Sequence, residues 1–147
     1  MLWFVKHIVL RTIIENILGH LSHAERVLDY IKSQKKPVSA YEILTGLRAE
    51  GINAPTTVYR ALEKLHKDGR IHRIESLKAW TTCCDPNHEE EAVFEICGDC
   101  GNVTEHINKR LVKTLAALSE HSGFSPKNSV MEIHGSCKEC EPQLNKR

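Results

Sequence analysis

A chain of 147 residues, 41% of them hydrophobic, has room for one ordinary domain or two small ones, each with a real core. No uninterrupted run of about eighteen apolar residues marks a membrane span, and no small-residue cleavage site follows the apolar start as a secreted leader would require. The net charge of +1 is spread unevenly: His20 to Arg73 carries ten Lys/Arg against six Asp/Glu, and Ile74 to Arg147 carries eight against twelve, giving a basic front and an acidic back.

Residues 1–20 are rich in Ile, Leu and Val, but Lys6, His7, Arg11 and Glu15 interrupt them. They read as an amphipathic extension that packs on the body or on a partner subunit. Two capping boxes follow, Ser22-His23-Ala24-Glu25 and Ser39-Ala40-Tyr41-Glu42, in which a serine hydroxyl and a glutamate satisfy orphan amides at a helix start. Val27, Leu28 and Ile31 share one face of the first helix; Ile43, Leu44 and Leu47 share one face of the second, which Gly51 ends. A third helix opens at Pro55, where proline's missing N–H costs nothing, and runs to about Asp68 with Gly69 as its stop.

Val58, Ala61, Leu62 and Leu65 form the apolar stripe of that third helix. Thr56, Thr57, Tyr59, Arg60, Glu63, Lys64 and Lys67 are left on the other side, a set of hydroxyls, an aromatic ring and cations that suits a major groove. Threonine and lysine hold phosphates there, Arg60 can meet a guanine edge bidentately, and Tyr59 can pack on a thymine methyl or a backbone oxygen. An ordinary solvated face has a similar composition.

Arg70 to Glu75 alternates, Ser76 to Lys78 makes a turn, and Ala79 to Thr82 follows, which reads as a two-stranded hairpin. Three short helices and a hairpin make a winged helix, with the second and third helices as a helix-turn-helix whose third helix reads DNA.

Glu91 to Ile96 and Asn102 to His106 read as strands, Asn108 to His121 as a helix with Leu111, Leu115 and Leu118 at helical spacing, and Ser129 to His134 as a further strand. So small a unit, with open strand edges and an apolar helix face, favours pairing with a second copy. The expectation is an α+β protein: an N-terminal winged-helix domain over 21–82, a small α/β dimerisation domain over 83–140, and a tail over 141–147.

Cysteine usage carries the chemistry. Cys97-Gly98-Asp99-Cys100 and Cys137-Lys138-Glu139-Cys140 are two tight turns whose paired sulfurs can close one tetrahedral zinc site. Two disulfides or four idle thiols are the other readings. Without an export signal the expected compartment is the reducing cytoplasm, where clustered cysteines bind metal more often than they pair. A second set lies between the halves: His72, Cys83, His88 and Glu105 are all zinc-ligand types, although Cys84, Glu89 or Glu90 could stand in for His88.

Pro55-Thr56-Thr57-Val58-Tyr59-Arg60-Ala61-Leu62, then Gly69 and His72, then Cys97-x-x-Cys100-Gly101 and His134-Gly135-x-Cys137-x-x-Cys140 resemble the ferric uptake regulator family of metal-sensing repressors over about Leu21 to Cys140. The resemblance is to its zinc uptake regulator branch, because a thiolate at Cys83 suits zinc better than the nitrogen and carboxylate sets of iron or peroxide sensors.

It implies a homodimeric repressor of operator DNA with zinc as corepressor and two zinc ions per chain. The structural ion would lie on Cys97, Cys100, Cys137 and Cys140, and the regulatory ion on His72, Cys83, His88 and Glu105. Tyr59 and Arg60 would touch DNA, with Thr56, Thr57 and Lys64 beside them. The residues offer a zinc hydrolase no paired histidines at helical spacing and no nucleophile with a neighbouring base, so neither catalysis nor a small organic substrate is expected. An iron- or peroxide-responsive regulator and a thiol redox protein with one structural zinc are the alternatives.

Overall fold

The computed structural model describes residues 21–85, 92–125 and 129–141. The expected N-terminal extension, His88 in the acidic loop and the tail beyond Glu141 lie outside the described residues. Helix α1, His23–Ser33, begins where the Ser22 hydroxyl accepts the Glu25 amide. The reciprocal half of the expected capping box is missing, because the Glu25 carboxylate turns to the Arg70 guanidinium at 2.5 and 3.2 Å. At helix α2, Ala40–Leu47, the box closes fully, with Ser39 and Glu42 each bonding the other's backbone amide. A single 3-10 turn, Arg48–Glu50, follows and Gly51 at φ 88° ends it, a left-handed conformation that glycine adopts without strain.

Helix α3, Pro55–Lys67, packs against both α1 and α2, which also touch each other. Val27, Leu28 and Ile31 meet Ile43, Leu44 and Leu47 on one side and Val58, Leu62 and Leu65 on the other, with Ile52 and Ile71 closing the core. Each such side chain contributes about 1.5–3 kcal/mol on burial. Strands β1, Ile71–Ile74, and β2, Ala79–Thr82, pair antiparallel with Ile74 opposite Ala79. The segment between α1 and α2 also joins this hairpin: Val38 and Trp80 exchange both backbone hydrogen bonds, at 2.9 and 2.8 Å. The wing is therefore fixed to the helices along its β2 edge.

A three-stranded sheet of order β4-β3-β5 makes up the back. Strand β3, Ala92–Cys97, lies in the middle, antiparallel to β4, Val103–Ile107, and parallel to β5, Met131–Gly135. The expected strand over 91–96 extends into Cys97 because its amide reaches the Asn102 carbonyl at 2.9 Å. Helix α4, Lys109–His121, supplies the crossover between β4 and β5 and starts where the Asn108 side chain accepts the Arg110 and Leu111 amides. None of its residues is buried, and Leu111 and Leu118, like Ile133 on β5, face solvent in the single chain.

Candidate metal centres and nucleic-acid interface

The two cysteine turns meet at one end of the sheet because β5 runs parallel to β3, so both strands deliver their following turns to the same edge. At the first turn, the Gly101 amide bonds the Cys97 carbonyl and Gly101 takes φ 71°; at the second, the Cys140 and Glu141 amides bond the Cys137 carbonyl. The Gly98 amide bonds the Gly135 carbonyl at 2.9 Å and ties the two together.

All four sulfurs lie within 4.8 Å of one another, and Cys100 Sγ is 3.8 Å from Cys137 Sγ. A tetrahedron with Zn–S bonds of about 2.3 Å has edges of roughly 3.8 Å. Backbone amides of Cys100 and Cys137 aimed at the sulfur bring the Cys97 thiol down to about 6, while shared hydrogen bonds with Cys137 and Cys100 push the Cys140 thiol up. Without a cation, such a cluster cannot hold four thiolates. The donor set and spacing fit zinc.

His72, Cys83 and Glu105 come together at the joint between wing and sheet. His72 projects from β1, Cys83 follows β2, and Glu105 projects from β4. Their ligand atoms lie within 4.8 Å of one another. His72 Nε2 is 3.0 Å from Glu105 Oε1, whose other oxygen accepts the Cys84 amide at 2.8 Å. The Glu105 side chain is only 7% exposed, and burial alone would raise its pKa. The His72 contact and the Cys84 amide outweigh burial and hold it near about 2.

Burial, with the Glu105 charge behind it, pushes the Cys83 thiol up to about 11. A buried carboxylate beside an imidazole and a thiol is poised for a soft cation. The chemistry of these three donors fits zinc, and a fourth ligand would have to come from elsewhere.

On α3, Tyr59 is 60% exposed, and Thr56, Arg60 and Lys64 are exposed on the same side, with Thr57 half-buried. No side chain caps the α3 start, since Ala54 occupies the N-cap position. In the first turn Pro55 has no amide to offer, and the Thr57 amide bonds the Ala54 carbonyl at 3.0 Å.

The family model described as the ferric uptake regulator family matches residues 21–134. The chain belongs to the ferric uptake regulator family. Among relatives of this family member, the zinc uptake regulation protein of Escherichia coli is 36% identical over 118 residues, 78% of this chain and 68% of that protein. The structure also resembles holo XcZur, with 37% identity, a TM-score of 0.76 and coverage of 82% of this chain and 84% of that one. It similarly resembles a zinc uptake regulator complexed with zinc and DNA, with 30% identity, a TM-score of 0.78 and coverage of 89% and 92%.

One contact in this regulator-family chain had no sequence signal. The Glu132 carboxylate of β5 reaches the wing turn, accepting the amides of Glu75 and Ser76 at 2.6 and 3.1 Å. A glutamate in an alternating strand looks like any exposed carboxylate, and its partners lie 57 and 56 residues away.

Proposed function

We propose that this protein is a zinc-responsive transcriptional repressor that binds operator DNA as a homodimer, with zinc as corepressor. The observation that carries the reading is the convergence of His72, Cys83 and Glu105, drawn from both sides of the joint between wing and sheet. Zinc bound there would supply a coordinate crosslink across that joint. His72 belongs to the hairpin that follows α3, so its position is tied to that of the DNA-reading helix. Glu105 belongs to the sheet, and Cys83 is the first residue after β2.

We assign the winged-helix domain to 21–82 and the dimerisation domain to 83–140, with Thr56, Thr57, Tyr59, Arg60 and Lys64 as the DNA-binding residues. Cys97, Cys100, Cys137 and Cys140 hold a structural zinc, and His72, Cys83, Glu105 and His88 a regulatory one, giving two per chain. The exposed apolar side chains on α4 and β5 supply a surface for the second copy. A repressor of operator DNA belongs where the operator is, in the cytoplasm. The protein acts as a regulator and not as an enzyme.

The thiol at Cys83 favours zinc over the harder cations used by iron and peroxide sensors. A titration of operator binding with zinc, ferrous iron and manganese tests this. Zinc should drive binding at the lowest free concentration, and Cys83→Ser should remove that dependence while leaving the fold intact. A preference for iron would transfer the protein to the other branch. Zinc-independent binding with one zinc per chain would favour the redox reading.

A further inference from the structure

The joint between wing and sheet is held at three places along one short stretch of chain. At its first end His72 contacts Glu105 at 3.0 Å. In the middle Ile74 is fully buried against Phe94 and Ile96 of β3. At the far end the amides of Glu75 and Ser76 are received by the Glu132 carboxylate. His72 lies on β1 and Glu75 directly follows the strand's last residue, Ile74, which separates the two polar attachments by roughly 10 Å.

A single attachment at His72 leaves the hairpin free to pivot about it. Two attachments that far apart set an orientation. Glu132 is well placed for the second, since its side chain is only 9% exposed and His134 Nε2 stands 3.7 Å from it. Burial would raise its pKa, but the Ser76 side chain and the two wing amides outweigh burial and lower it. A carboxylate with two backbone amides makes charge-assisted bonds that no uncharged side chain replaces fully. The strand that carries Glu132 leads directly into Cys137, so the clasp is anchored to the four-thiol cluster at its other end.

We propose that Glu132 is a positioning residue, a clasp that fixes the wing turn to β5 independently of the junction metal, so that metal at His72 sets an orientation instead of a loose pivot. Its consequence for DNA rests on the proposed function; the anchoring itself does not.

The test compares the full-length zinc-loaded protein with Glu132→Ala and Glu132→Gln, reading amide hydrogen exchange residue by residue, zinc content and operator affinity. In the alanine variant the Glu75 and Ser76 amides should exchange about tenfold faster or more, as expected for loss of hydrogen bonds to a charged acceptor. In the glutamine variant, whose single carbonyl oxygen replaces two carboxylate oxygens, one of the two amides should keep its protection. Operator affinity should fall by about tenfold in the alanine variant, with zinc content equal to that of the parent.

Unchanged exchange at both amides would overturn the clasp, and operator affinity equal to the parent's once the amides are freed would overturn its role in setting the wing's orientation. Protection lost equally across α1, α2 and α3 would reveal general destabilisation and would also overturn it. If the parent itself binds operator without regard to zinc, the functional reading fails, and the amide comparison still decides whether Glu132 anchors the wing.

Discussion

Arg60 stands on the exposed side of α3 next to Tyr59, with nothing of its side chain committed to the core. Replacing it by alanine should leave the thermal midpoint unchanged and cost about 1–3 kcal/mol of operator affinity, the range for a bidentate base contact. A titration at fixed salt reads the effect; an unaltered affinity would remove Arg60 from the interface. Glu25 belongs to stability instead. The Arg70 guanidinium beside it holds its carboxyl below the ordinary value of 4.5, so the pair's contribution is present above that pH and is lost as the pH falls through the lowered value. The gap in thermal midpoint between the parent and Glu25→Gln should therefore be widest near neutrality and close below about pH 4.5. It will be small throughout, because the Arg70 and Glu25 side chains remain 33% and 38% exposed and water screens the pair.

Among the elements, the helices were legible because their signals are local. Ser39 and Glu42 announce α2, Pro55 announces α3, and the apolar stripes repeat within a few residues. Glu25 shows the limit of such signals: its spacing from Ser22 matches a capping box, yet Arg70, 45 residues away, takes the carboxylate. The four-thiol cluster was legible for the same local reason, each turn being four residues long. The junction set was weak from spacing alone, since His72, Cys83 and Glu105 sit on three separate segments and only their ligand types group them; the family resemblance strengthened that grouping.

Neither the parallel pairing of β5 with β3 nor the Val38 bridge to Trp80 leaves a pattern in sequence, because both depend on how distant segments dock. The cluster pins β3 and β5 at one end, so Cys97→Ser should collapse the sheet. Structural zinc is worth about 10–16 kcal/mol in small sites, comparable with or above the whole stability of an ordinary domain. Amide exchange should show the protection of β3, β4 and β5 lost while the α1–α3 core, which does not include them, keeps its own. Retention of the sheet in that variant would deny the cluster a structural role.

At the scale of the molecule, a basic helical front and an acidic sheet-bearing back meet at a joint lined by His72, Cys83 and Glu105, a buried Ile74 and the Glu132 clasp. No helix among the described residues is long and apolar enough to cross a membrane, and the apolar faces of α4 and β5 are left for a second copy. Two recognition helices in such a dimer reach successive major grooves only if their separation matches about one helical turn of DNA. Moving the joint from mostly inactive to mostly active requires about 5.5 kcal/mol of differential binding, which multidentate coordination at a buried site can supply.

The most direct test is the operator affinity of protein whose four-thiol zinc is retained and whose junction metal has been removed by a chelator. The account predicts a loss of at least about a hundredfold, restored by adding zinc back. Operator binding as tight in the one-zinc protein as in the fully loaded one would contradict it.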